Sequence, residues 1–119
     1  MGKFDGVLLV SDFDDTLYGL DLRVCPRNIE ALNYFIAQGG RFTVATGRAH
    51  TTFAPYVHLA PINAPVVLSN GSAIYDFQQD RSLVQTYLDP RAPQDMTALA
   101  ADIPEIGFEA YHKEDIYVY

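Results

Sequence analysis

The sequence has few basic residues, a single cysteine and no tryptophan. Eight Lys and Arg residues stand against fifteen Asp and Glu residues, which gives a formal net charge of −7. Proteins that bind nucleic acid need clustered Lys and Arg to meet the phosphate backbone, so this composition argues against a nucleic-acid partner. Because Cys25 is the only cysteine, no intramolecular disulfide can form, which is typical of a reducing compartment.

Long apolar segments are also missing. No stretch approaches the roughly 20 apolar residues that a membrane-spanning helix needs, and the N-terminal residues lack a signal-peptide pattern. We therefore expect no membrane partner and a cytoplasmic protein. The chain has 119 residues, of which 49% are hydrophobic, and this is enough for a small globular domain with its own core.

The first part of the chain alternates between strand and helix patterns. Apolar runs predict three strands, and stretches with helical periodicity separate them. The first run, Val7 to Val10, has no polar alternation, which is typical of a strand buried on both faces. The predicted order is strand 7–10, helix from Pro26 to a stop at Gly39-Gly40, strand 41–45, helix 49–59 broken at Pro55, and strand 66–69. This order predicts an α/β fold with a parallel, Rossmann-like sheet.

The pattern changes after the turn signal Asn70-Gly71. Residues 73–76 and 83–87 are predicted to form a hairpin. A further helical face follows at Met96, Leu99, Ala100 and Ile103, and two more strands are predicted over 106–111 and 116–119.

Two carboxylates lie two residues apart where the first strand is predicted to end. In an extended backbone, the side chains of Asp12 and Asp14 would face one pocket while Phe13 turns into the core. Ligands of open α/β sheets gather at the carboxyl ends of the strands. Paired carboxylates there suit a divalent cation, a phosphate bound through it, or covalent catalysis by an aspartate. For an isolated Asp-x-Asp, however, a helix cap or a solvated turn is the more frequent structure.

Polar residues also follow the second and third predicted strands. Thr46-Gly47-Arg48 comes after the second, and Ser69-Asn70-Gly71 comes after the third. An arginine can bind phosphate with two parallel hydrogen bonds. Each segment alone is compatible with an ordinary strand end or turn, but three in this order, each after a predicted buried strand, are difficult to obtain by chance.

The combination resembles the haloacid dehalogenase-like (HAD) hydrolases, in particular the Cof-type (subclass IIB) phosphatases. Asp12, Asp14, Thr16 and Leu17 match the Asp-x-Asp-x-Thr-Leu pattern that follows the first strand of that family, whereas Asp15 stands where a glycine is frequent. Thr46 matches the hydroxyl residue after the second strand. Residues 69–76 resemble the Asn-Gly-Ala-x-Ile-Tyr-Asp segment of the same branch.

The resemblance implies a Mg²⁺-dependent phosphomonoester hydrolase that acts on a small phosphorylated metabolite, such as a sugar phosphate. Asp12 is then the nucleophile that forms an aspartyl phosphate, and Asp14 is the general acid and base. The implied Mg²⁺ ligands are Asp12 and Asp14, the latter through its backbone carbonyl. The implied phosphate- or substrate-binding residues are Thr46, Gly47, Arg48 and Asn70.

The resemblance also implies a domain organisation. Residues 1–80 correspond to the N-terminal part of the family's core, and residues 81–119 to the start of an inserted α/β cap domain. A lysine and an acidic segment that complete the family's site would lie after the cap. Two alternatives stay open: a non-catalytic module that binds phosphate or a partner through an open sheet edge, and a phosphotransferase that uses the same aspartate.

Overall fold

Two compact units make up the chain, Met1–Gln85 and Thr86–Tyr119. The computed structural model describes residues 1–113 and 115–119. Within these residues, no helix combines the length and the apolar content needed to cross a membrane.

The first unit is built on a five-stranded sheet with the strand order β1-β2-β3-β4-β5. Strands β1, β2 and β3 are parallel to one another, and β4 and β5 continue the sheet as an antiparallel hairpin. The elements are β1 (Leu8–Asp12), α1 (Pro26–Ala37), β2 (Arg41–Ala45), α2 (His50–Phe53), a 3₁₀ segment (Ala54–Leu59), β3 (Val66–Leu68), β4 (Ala73–Asp76) and β5 (Arg81–Gln85). The predicted α/β, Rossmann-like architecture is confirmed.

Local sequence explains where these helices begin and end. Helix α1 starts at Pro26, whose fixed φ suits the first helical position. It ends before Gly39, which adopts a φ of +90° that favours glycine. Helix α2 changes to 3₁₀ geometry at Ala54, because a proline at the next position lacks an N–H and disfavours α conformation before it.

Aromatic rings dominate the core of this unit. Phe53 is fully buried and its ring meets that of Phe13 edge to face, with centroids 5.1 Å apart. Phe77 lies 5.8 Å from Phe53 on the hairpin side. The buried apolar residues are Phe13, Leu17, Leu32, Phe42, Val44, Phe53, Ala60, Val66 and Leu68. The core therefore extends directly beneath the loop that carries Asp12 and Asp14.

The prediction that the first strand is buried on both faces is wrong. Strand β1 lies at the edge of the sheet and pairs only with β2 among the described strands. Leu8, Leu9 and Val10 are 56%, 43% and 47% exposed. A strand needs neighbours on both sides and layers on both faces to be buried, and the apolar run alone does not supply them.

We expect the exposed edge of β1 to promote self-association. An edge strand with an apolar stretch, here Leu8–Val10, is a template for pairing with another chain. Replacement of Leu8 by Lys should lower the average mass seen by light scattering at high protein concentration. Leu20→Lys is the matched control, because Leu20 is also exposed but lies outside the strand. Equal masses for the two variants would contradict the role of β1.

The hairpin is confirmed, but its second strand begins earlier than predicted. Strand β5 starts at Arg81, not at Leu83. The turn is short because the Asp76 carboxylate accepts hydrogen bonds from the N–H groups of Gln78 and Gln79, and Asp80 adopts a left-handed φ of 50°. The chain therefore reverses by Asp80, and Asp76 pairs with Arg81.

The described residues of the second unit form one helix and one hairpin. Helix α3 spans Ala92–Asp102, and strands β6 (Glu109–His112) and β7 (Asp115–Val118) form an antiparallel pair. The element types agree with the prediction. Lys113, in the turn between the strands, has a left-handed φ of 55°, and Glu114 lies outside the described residues.

Candidate active site

The carboxyl ends of β1, β2 and β3 meet around one open pocket. Its volume is about 280 Å³. Asp12 ends β1, Thr46 and Gly47 follow β2, and Asn70 follows β3. The pocket is lined by Asp12, Ala45, Thr46, Gly47, Val67, Asn70 and Gly71. Parallel strands end at the same edge of a sheet, so the fold brings these residues together although they are far apart in sequence.

Asp12 presents its carboxylate at the end of β1 and is held by a neighbouring hydroxyl. The side chain is exposed, whereas the next residue, Phe13, is 1% exposed. Thr16 donates a hydrogen bond from Oγ1 to Asp12 Oδ2 at 2.8 Å. This bond orients the carboxylate and leaves Oδ1 for another partner. Thr16, which matches the threonine of the Asp-x-Asp-x-Thr-Leu pattern, therefore has a physical role.

Thr46 and Gly47 form the floor of the pocket on the β2 side. Thr46 is 6% exposed, and its Oγ1 accepts a hydrogen bond from the backbone N–H of Arg48 at 3.1 Å. A Cβ added at Gly47 would lie 3.0 Å from Oδ1 of Asn70. Glycine at position 47 therefore lets the Asn70 amide approach the loop closely.

Asn70 lies in a segment with unusual backbone geometry. Ser69, Asn70 and Gly71 have positive φ values of 49°, 54° and 96°, a conformation that asparagine and glycine tolerate better than serine. The Asn70 N–H donates to the carbonyl of Thr46 at 3.1 Å, and the Ser69 N–H donates to that of Arg48 at 2.9 Å. These two bonds fasten the loop after β3 to the loop after β2.

Asp14 pairs with Arg48 and does not line this pocket. Arg48 Nε and Nη2 donate to Asp14 Oδ2 and Oδ1 at 2.9 and 2.6 Å. Of the two predicted carboxylates, Asp12 alone borders the pocket. The backbone explains the difference, because β1 ends at Asp12 and Asp15 has a left-handed φ of 59°. Residue 14 is therefore outside the regular strand in which side chains two apart share a face.

The ion pair shifts the protonation of its carboxylate. Hydrogen bonds from the Arg48 guanidinium lower the pKa of Asp14, burial opposes this effect, and the positive charge of Arg48 adds to it. The pKa of Arg48 is correspondingly raised, first by its hydrogen bonds to Asp14. Asp14 is therefore held in its ionised form.

Sequence reasoning missed two further contacts of the guanidinium. The carbonyl of Thr52 accepts a hydrogen bond from Arg48 Nη1 at 3.1 Å. The ring of Tyr56 lies 4.5 Å from Arg48 Cζ, within the range of a cation–π contact. Arg48 lies in the loop before α2, and Tyr56 lies in the 3₁₀ segment, so no helical periodicity in the sequence indicated these contacts.

A pH-dependent stability difference should follow from the ion pair. A carboxyl whose pKa is lowered by folding stabilises the protein above its unfolded pKa, near the ordinary value of 3.8, and this effect disappears as the pH falls through the lower folded pKa. The urea midpoint of the wild type should therefore exceed that of Asp14→Asn by an amount that shrinks below about pH 4. In an Arg48→Met background the difference should not depend on pH. A constant difference in the wild-type background would contradict the pairing.

The residues at this edge offer oxygen atoms, which hard divalent cations prefer as ligands, but only a few of them. Mg²⁺ prefers oxygen ligands in near-octahedral geometry, and the carboxylate of Asp12 is such a ligand. Across residues 1–113 and 115–119, no group of three or more His, Cys, Asp or Glu side chains converges on one point. The carboxylate of Asp12 is one oxygen ligand that could serve such a cation.

Comparisons with known proteins give the family of the chain. The family model described as haloacid dehalogenase-like hydrolase matches residues 9–119. A putative phosphatase of Mycoplasma pneumoniae is 31% identical over 97 residues, which cover 82% of this chain and 34% of that protein. The pyridoxal phosphate phosphatase YbhA of Escherichia coli K12 is 29% identical over 70 residues, covering 59% of this chain and 26% of that protein.

Solved structures support the same fold. The haloalkanoate (HAD) superfamily phosphatase BT1666 of Bacteroides thetaiotaomicron superposes with a TM-score of 0.81 at 20% identity, over 98% of this chain and 42% of that chain. The protein belongs to the haloacid dehalogenase-like hydrolases. The matched region spans about a third of the length of the Mycoplasma pneumoniae phosphatase and about a quarter of that of YbhA.

Proposed function

We propose that this chain carries the nucleophile-bearing part of a Mg²⁺-dependent phosphomonoester hydrolase of the Cof-type branch. The observation that carries the proposal is the pocket that Asp12 shares with Thr46, Gly47 and Asn70. It combines a carboxylate nucleophile with a hydroxyl, an amide and a glycine loop, which are groups that suit a phosphoryl oxygen. In this proposal residues 81–119 form the beginning of the cap domain.

The proposed reaction has two steps. An oxygen of the Asp12 carboxylate attacks phosphorus, the ester P–O bond breaks, and the leaving oxygen takes a proton from Asp14. Water then attacks the aspartyl phosphate and gives its proton to Asp14, which releases inorganic phosphate and restores Asp12. The first step starts from protonated Asp14 and the second step from ionised Asp14. The hydrogen bonds from Arg48 lower the pKa of Asp14, so they favour the form that accepts the proton in the second step and oppose the form that donates it in the first.

Thr46, Gly47 and Asn70 would bind and orient the phosphate during both steps. The Thr46 hydroxyl and the Asn70 amide can donate to phosphate oxygens, and Gly47 allows the backbone to approach them. Mg²⁺, held by the Asp12 carboxylate and the Asp14 carbonyl, would neutralise the charge of the phosphate as the carboxylate approaches.

The family and the size of the pocket support one class of substrate. We propose a small phosphorylated metabolite, because the pocket is open and modest in volume. The name of one curated relative gives pyridoxal phosphate as its substrate. Pyridoxal phosphate and several sugar phosphates therefore form the first assay panel.

The test measures release of inorganic phosphate with and without Mg²⁺. It compares the 119-residue chain with the complete translation product that contains it. Mg²⁺-dependent release by either polypeptide supports the proposal, and transfer to a sugar acceptor without release would indicate a phosphotransferase. No turnover of any substrate by either polypeptide would refute it.

A non-catalytic binding module is the second candidate. The exposed apolar residues of β1 favour it, because they offer a sheet edge to a partner strand. A folded 119-residue chain that binds a protein partner through β1 and hydrolyses no phosphomonoester would identify it.

A further inference from the structure

Each of the three guanidinium nitrogens of Arg48, a predicted phosphate ligand, donates a hydrogen bond to another group of the protein. Its Nε and Nη2 donate to both oxygens of Asp14, and Nη1 donates to the carbonyl of Thr52. One face of the guanidinium is near the Tyr56 ring, 4.5 Å from Cζ, and the Phe13 ring lies at 5.7 Å. Every nitrogen therefore has an acceptor within the first unit.

The pocket geometry separates this cluster from the phosphate-binding groups. Neither Asp14 nor Arg48 lines the pocket that contains Asp12, Thr46 and Asn70. A guanidinium that turned from Asp14 toward a phosphate in the pocket would lose its two charge-assisted hydrogen bonds to Asp14. Charge-assisted bidentate bonds are among the strongest polar contacts in proteins.

The guanidinium also fixes the direction of the Asp14 carboxylate. Two parallel hydrogen bonds define both the position and the plane of a carboxylate. The Arg48 side chain is 26% exposed and that of Asp14 is 45% exposed, so packing covers only part of the carboxylate and the two hydrogen bonds from Arg48 restrain its orientation. The contacts with Tyr56 and Thr52, in turn, restrict the position of the Arg48 guanidinium group.

We infer that Arg48 is a positioning residue that orients Asp14, with Tyr56 as its support, and that it does not bind the phosphate. The inference rests on the proposed function for the role of Asp14. It differs from the sequence-based expectation for Arg48 and assigns a role to Tyr56. Phosphate recognition then depends on Thr46, Gly47 and Asn70.

The first test needs no turnover and uses the 119-residue chain. Urea unfolding is measured for the wild type, Arg48→Met, Asp14→Asn and the double variant. Asp14→Asn should change the unfolding equilibrium constant about threefold more in the wild type than in the Arg48→Met background. Equal effects in both backgrounds would overturn the pairing on which the inference depends.

The second test uses steady-state kinetics of the phosphatase that contains this chain. Arg48→Lys should lower kcat at least about tenfold, because Lys keeps the charge but loses the fork that orients Asp14. KM and the inhibition constant of inorganic phosphate should stay within about twofold of wild type. In an Asp14→Asn background, Arg48→Lys should cause no further loss. A raised phosphate inhibition constant, or a loss that persists without Asp14, would show that Arg48 contacts the phosphate.

Tyr56 offers a matched pair of variants. Tyr56→Leu removes the ring face and should lower kcat with an unchanged phosphate inhibition constant. Tyr56→Phe keeps the ring face and loses only the hydroxyl that acts on Arg48, so its kcat should stay closer to that of the wild type. Equal kcat values for the two variants would refute the supporting role. If the wild type showed no hydrolysis, the proposed function would fail, while the unfolding test would still decide whether Arg48 and Asp14 are coupled.

Discussion

Asp12→Asn is expected to lower phosphomonoester hydrolysis by at least about a thousandfold, as loss of a nucleophile does in enzymes with covalent intermediates. The amide has nearly the same shape and can still accept the bond that Thr16 donates to position 12. It lacks the negative charge needed to attack phosphorus and is a poor ligand for a cation. The measurement is the rate of phosphate release by the complete translation product.

Asp15→Asn is the matched control for this variant. The chemical change is the same, Asp15 is exposed in the same loop, and asparagine tolerates its left-handed φ of 59°. Trapping of a phosphorylated enzyme by rapid acid quench separates the steps, since the label should appear in the wild type and in Asp15→Asn only. Turnover by Asp12→Asn at the wild-type rate would refute Asp12 as the nucleophile.

The sequence was sufficient to predict the sheet and most of the pocket. Strand β2 has the predicted bounds because Gly39-Gly40 and Thr46-Gly47 limit it on both sides. The carboxyl ends of parallel strands lie at the same edge of a sheet. The order of the three polar segments was therefore enough to predict that Asp12, Thr46 and Asn70 lie close together.

Other features depend on contacts that a linear pattern does not contain. Arg48 and Asp14 are 34 residues apart, and nothing in either segment indicates that they pair with each other. The exposure of β1 depends on which strands and helices surround it. The start of β5 depends on hydrogen bonds from the turn to Asp76, which shorten the loop by two residues relative to the hydrophobic pattern.

Phe53→Ala should have the largest effect on stability. Phe53 is fully buried and packs against Phe13 and Phe77. Removal of a buried phenylalanine costs about 3–5 kcal/mol, because the transfer free energy of the ring is lost and a cavity remains. Small domains have unfolding free energies of about 5–15 kcal/mol, so the variant should be close to unfolding at ambient temperature.

The measurement is urea unfolding followed by far-ultraviolet circular dichroism, since the chain has no tryptophan. Phe53→Leu should cost less than Phe53→Ala because the side chain still fills part of the space. Tyr87→Ala is the surface control, as Tyr87 is 79% exposed and its loss leaves no cavity.

Phe13, which Phe53 supports, lies between Asp12 and Asp14, so a folded Phe53→Ala protein should also lose hydrolysis. A loss of stability below about 1 kcal/mol, the range of surface substitutions, would contradict a core centred on Phe53 beneath the Asp12 loop.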